Sequence, residues 1–153
     1  MTDAPTRPRT AARVAAVQAL FQSEQGPENP ETVIDQFVRH RFGPGDFENG
    51  AVPDAHAKLF GRIVRAASEK QADIDTHLAE TLPPEWPLAR LDPVLRALLR
   101  AGAAELITKD GAPAKVVINE YLDVAHGFFD GDEPRMANGL LDKIARSLRP
   151  KEF

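Results

Sequence analysis

The sequence predicts an all-α protein. Every apolar pattern repeats near 3.6 residues, proline recurs where helices would begin, and no segment alternates at period two for long enough to be a strand. About seven helices with short connections indicate a helix bundle. With 153 residues and 42% apolar content, one domain able to bury a core is expected.

The elements follow in order. Residues 1–9 are expected to be a mobile basic tail, and residues 10–153 a single helical domain. Thr10 to about Gln25 places Val14, Val17 and Phe21 on one stripe, with Ala16 and Leu20 beside it. Gly26-Pro27 ends that helix. Asn29 is an N-cap candidate with Pro30 at the first helical position, ahead of Val33, Ile34, Phe37 and Val38. Arg41 to Pro53 carries three glycines and two prolines and is expected to be a loop dividing two helical halves. Asp54 is expected to cap one long helix through Leu59, Ile63, Ala67, Ile74 and Leu78, stopped by Leu82-Pro83-Pro84. Trp86, Leu88 and Leu91 form a short core-plugging turn. Asp92-Pro93 starts a helix with a wide apolar face from Val94 to Leu106. Pro113 and Pro134 start two more, and Pro150 closes the last.

Composition excludes several functions. There is no cysteine, hence no disulfide and no thiolate chemistry. No signal peptide or membrane-length apolar run is present, so a cytoplasmic protein without a membrane partner is expected. His40, His56, His77 and His126 make no metal-site spacing. Asp123 and His126 lie one turn apart, but a di-iron bundle needs that pair twice. No phosphate loop or nucleophile elbow occurs. Neither an enzyme nor a cofactor or metal site is expected.

Charge carries more. The net charge is −4, yet from Thr6 to Gln22 the only charged residues are Arg7, Arg9 and Arg13. Arg9 and Arg13 are four apart and share a helix face. Further along, Lys115, Asn119, Asp123 and His126 form a polar stripe, with Asn119 and Glu120 expected to hydrogen-bond a neighbouring helix or loop. Asn138-Gly139 inside a helix costs about 1 kcal/mol for the glycine relative to alanine, which close approach of another backbone would justify.

Four blocks share an order and spacing across nearly the whole chain. They are Ala16-Val-Gln-Ala-Leu-Phe21, Leu99-Arg100 with Glu105-Leu106, Pro113-x-Lys115-Val-x-Ile-Asn-Glu120, and Asn138-Gly-Leu-Leu-Asp-Lys143. In these the chain resembles the NusB family of transcription antitermination factors. The resemblance implies two three-helix sub-bundles and binding to single-stranded boxA RNA of ribosomal-RNA leaders. It also implies joint binding with the ribosomal protein that serves as NusE, and indirect association with other Nus factors and RNA polymerase. An orphan NusB-like module without antitermination activity is the alternative. Such domains also occur fused to RNA cytosine methyltransferases, and no methyltransferase pattern follows Phe153.

Arg9 and Arg13 match the family's N-terminal arginine-rich motif, while Thr10 and Ala11 stand at positions often basic. Phe21 stands for a common tyrosine, Ala104 for a frequent tyrosine, His126 for a usual lysine and Met136 for a frequent phenylalanine. The expected RNA-binding residues are Arg7, Arg9, Arg13, Lys115, Phe128, Arg135 and Met136. The arginines near the N-terminus would meet phosphates, and Phe128, Arg135 and Met136 would line the surface under the bases. The expected partner-binding residues are Phe21, Arg96 and Arg100, an aromatic anchor with two arginines.

Overall fold

A computed structural model describes residues 8–40, 54–108 and 111–153. The expected dividing loop at 41–53 and Arg7 lie outside the described residues. The described chain forms α1 (Pro8–Gln25), α2 (Pro30–His40), α3 (Asp54–Glu69), α4 (Gln71–Thr81), α5 (Pro93–Ile107), α6 (Ala114–Phe128) and α7 (Glu133–Leu148). Single 3-10 turns stand at Leu88–Arg90 and Pro150–Glu152. Among the described residues there is no strand.

Local chemistry sets the starts. Proline, whose fixed φ and missing N–H suit the first turn, opens α1, α2 and α5. The Asn29 side chain accepts from the Thr32 N–H at 2.9 Å, as an N-cap should. Asp92 caps α5 in the same way, accepting from Val94 at 2.8 Å. α1 begins at Pro8, two residues ahead of the expected Thr10, so Arg9 stands on the helix rather than in a tail.

One boundary differs. The helix expected to run unbroken from Asp54 to Leu78 is two helices, parted at Lys70, which leaves helical geometry at φ −109°, ψ 20°. No proline or glycine marks the break. α3 packs on α1, α2 and α5, whereas α4 packs on α5 and α7, so the axis must turn between them. Tertiary packing overrides a locally continuous pattern.

α5 is the central helix and touches α1, α3, α4, α6 and α7. Its residues from Ala97 to Leu106 are buried apart from Arg100. α1, α2 and α3 pack mutually, α6 packs on α7, and α1 also touches α6. The buried face of α1 differs from the stripe expected from its larger side chains. Ala12, Ala15, Ala16 and Ala19 are buried with Val17 and Leu20, while Val14 and Phe21 only flank the core. Small side chains let α1 lie close against its neighbours. Gly102 serves the same end on α5, since a methyl there would sit 3.0 Å from the buried Leu141 Cδ1.

Gly139 does not. Among the described residues a methyl at Gly139 would meet nothing within 4 Å, so no neighbouring backbone there accounts for the glycine and that expectation is corrected. Gly139→Ala should therefore raise the unfolding free energy in urea by about 1 kcal/mol through helix propensity. Gly102→Ala should forgo that gain, because Leu141 has to move. Equal gains at both positions would contradict the packing described.

Candidate nucleic-acid interface

The first turns of α1 carry two arginines with opposite fates. Arg9 is exposed. Arg13, expected to contact phosphate in surroundings free of acid, is buried at 3% exposure. Its Nε and one terminal nitrogen donate to Glu105 on α5 at 2.6 and 2.9 Å, and the other donates to Glu120 on α6 at 3.1 Å. The hydroxyl of fully buried Tyr121 donates to the same Glu105 carboxylate at 2.7 Å. Thr10 donates to Glu120 at 2.8 Å, so Glu120 does bond a neighbouring helix, as expected.

Titration follows this geometry. Burial works against the Arg13 cation, but its hydrogen bond and charge interaction with Glu105 outweigh it and raise its pKa. Burial and then the Glu105 charge push the Tyr121 phenol well above its usual value. Both therefore stay protonated, and Arg13, at 3% exposure with three of its five N–H donors on two carboxylates, is not presented to a phosphate at the surface. Its role is corrected from surface contact to a tie between helices.

Beside Arg9 a cleft of about 560 Å³ opens between α1, α3 and the α5–α6 connection, with Lys58 and Arg62 of α3 on its wall. Both are exposed, and the sequence reading overlooked them although their i, i+4 spacing was visible. Buried His56, on the same helix, has an Nδ1 without a hydrogen-bond partner among the described residues. Burial and then the Arg9 charge hold its pKa below the usual value.

The remaining expected RNA residues follow α6. Lys115 is exposed near its start, with its ammonium 5.9 Å from the Phe153 ring. Phe128 is exposed at its end, its ring 6.3 Å from that of Phe129. Arg135 is exposed and Met136 half-buried against the core at the start of α7. About 20 Å of helix separates Lys115 from Phe128. The structure thus brings Arg9 to the cleft, and Phe128, Arg135 and Met136 to the opposite end of α6.

The expected partner residues lie elsewhere. Phe21 is half-buried against the core. Arg96 and Arg100 are held inside the chain. Glu24 on α1 accepts from both, and Asp75 on α4 accepts from Arg100 at 2.9 Å. The Arg96 hydrogen bond is the largest cause holding the Glu24 carboxyl below its ordinary value. A second buried arginine, Arg149, was also missed. It donates to the carbonyls of Glu105, Leu106, Thr108 and Ala112 at 2.8 to 3.0 Å, filling the C-terminus of α5.

Residues 10–146 match the NusB family. The chain belongs to the NusB family. It is 68% identical to the transcription antitermination protein NusB of Granulibacter bethesdensis over 97% of this chain and 93% of that one. Among solved structures it is similar to the NusB of T. maritima, at TM-score 0.77 and 28% identity, covering 97% of both chains. It is also similar to a chain in a crystal structure of antitermination factors NusB and NusE with double-stranded RNA. There the TM-score is 0.75 and the identity 25%, over 94% of this chain and 99% of that one. The helices are those of a NusB fold.

Two outcomes test the site's physical chemistry. Glu105→Ala leaves the buried Tyr121 phenol without its acceptor and the buried Arg13 guanidinium with Glu120 alone, and should cost about 3 kcal/mol in urea unfolding. The double variant Arg13→Ala/Glu105→Ala should cost less than the sum of the two single changes; additivity would refute the pairing. For His56, the folded pKa lies below the unfolded 6.5, so the unfolded chain takes up the proton first. The stability from neutral His56 is complete above that value and is lost as pH falls toward the folded pKa. The melting temperature should fall between pH 7.5 and 5.5, and His56→Gln should flatten the decline; an unchanged profile would remove His56 as its cause.

Proposed function

We propose that this NusB-family chain is a non-catalytic transcription antitermination factor that binds boxA-type single-stranded RNA jointly with the ribosomal protein NusE and supports ribosomal-RNA transcription in the cytoplasm. The observation that carries the reading is the near full-length similarity to NusB proteins, one of them 68% identical. The similarity to a chain solved with NusE and double-stranded RNA supports the coarser pairing of NusE and RNA. Other Nus factors and RNA polymerase join indirectly.

Within that reading Arg9, and Arg7 ahead of it, meet phosphates, with Lys115 at the start of α6. Phe128, Arg135 and Met136 lie under the bases, where an exposed aromatic ring and a thioether offer stacking and apolar contact. Arg13 acts indirectly, by fixing α1 against α5 and α6. NusE docks across α1 and α5, where Phe21 is half-exposed and Arg96 and Arg100 meet Glu24.

The test is RNA binding by the full chain, with and without NusE, to boxA, scrambled and duplex RNA. Tight, boxA-selective binding is expected only with NusE present. Equal binding of all three RNAs, or no effect of NusE, would refute the reading. Arg9→Ala should flatten the slope of log affinity against log salt by about 0.7, the share of one phosphate contact to a single strand. Met136→Ala should leave that slope alone and erode the preference for boxA. Arg96→Glu, if it left NusE affinity unchanged, would remove Arg96 from the docking face.

A further inference from the structure

The cleft beside Arg9 carries more charge than one phosphate-binding arginine explains. Among the described residues four cations line it, Arg9, Arg13, Lys58 and Arg62, against a single carboxylate, Glu105. Arg13 and Glu105 neutralise each other. Arg9, Lys58 and Arg62 are exposed, and among the described residues no carboxylate pairs with them. The contrast on the same helix is Arg65, three residues beyond Arg62, which Glu31 holds at 2.7 Å.

Three unpaired cations around one concavity repel one another, an arrangement that an anion relieves. The first turn of α1 supplies Arg9, so the positive end of an 18-residue helix adds to the same field. Leu59, Ile63 and Ala66 give the wall an apolar part beside the charges. The volume, about 560 Å³, is within the range of pockets that enclose small ligands.

We propose that this cleft is a phosphodiester-binding site in which Lys58 and Arg62 of α3 act with Arg9 on the RNA backbone, turning the strand away from α6 and into the groove between α1 and α3. Because RNA is the ligand proposed above, the site rests on that reading. The two lysine and arginine side chains of α3 restore the cationic charge that Thr10 and Ala11 do not supply on α1.

The experiment is a salt titration of boxA RNA binding by the full chain with NusE present. It compares wild type, Lys58→Ala/Arg62→Ala, the charge-keeping Lys58→Arg/Arg62→Lys, and Arg65→Ala as a control on the same helix. Removing two contacts to a single strand should flatten the slope by about 1.4, so that raising salt from 50 to 200 mM costs the double-alanine variant about sevenfold less affinity than wild type. The charge-keeping variant should retain most of the wild-type slope, and Arg65→Ala should match it fully. A double-alanine slope equal to wild type overturns the proposal, as does an equal loss in Arg65→Ala, which would make the effect a diffuse field. If wild type itself fails to select boxA, the functional reading fails instead, and the two failures are distinct. Inorganic phosphate, titrated calorimetrically into the chain without RNA, separates the other source of this chemistry. Phosphate binding lost in the double-alanine variant while the RNA slope stays unchanged would assign the cleft to free phosphate and overturn the RNA assignment.

Discussion

A carboxylate buried between helices destabilises a fold unless its lone pairs are met by donors and its charge by a cation. Glu105 on α5 satisfies that condition with groups from two other helices, Arg13 of α1 and Tyr121 of α6. The bonds run across 92 and 16 residues of sequence, so none can form until α1, α5 and α6 are correctly aligned. A slip of one residue along α1 would move Arg13 to another face and strand Glu105. This carboxylate therefore fixes the register of the N-terminal helix, and with it the position of Arg9, one turn earlier. Alanines on α1 and Gly102 on α5 permit the short interhelical distances that the network requires.

The same end of α5 also depends on a second buried guanidinium. A helix that stops inside a protein leaves carbonyls that need donors. Arg149 supplies them from beyond α7, and Glu152 in the next turn accepts from the Ala114 N–H at 2.7 Å, at the start of α6. A cation thus stands at one helix C-terminus and an anion at the next N-terminus, both favourable to the helix dipoles. The C-terminal turn closes the α5–α6 connection, and that connection forms one wall of the cationic cleft. Stability at this site and the shape of the cleft share one cause.

An acidic chain can present a cationic surface only if its acids are occupied elsewhere. Glu105 and Glu120 take Arg13, while Glu24 and Asp75 take Arg96 and Arg100. These pairs hold helices together and leave Arg9, Lys58 and Arg62 around one opening. The exposed Arg65–Glu31 pair contributes little to stability but keeps a fourth cation of that region engaged. Net charge therefore misleads here, because what a polyanion meets is the charge that internal pairing leaves over.

The sequence by itself determined the helices and most of their starts. Apolar spacing, the prolines at Pro30 and Pro93 and the caps at Asn29 and Asp92 act within a few residues, so they are visible without the fold. It also determined which cations are candidates, and Arg9, Lys115 and Arg135 do stand exposed. The division at Lys70, the alanine-lined face of α1 and the open space at Gly139 were decided by packing against distant helices. So was the fate of each arginine. Arg9 and Arg13 look alike in sequence, four residues apart on one helix, but Glu105 and Glu120 reach Arg13 from 92 and 107 residues away and do not reach Arg9. Backbone preference is local, whereas the pairing of a buried charge is settled by whichever opposite charge the fold brings beside it.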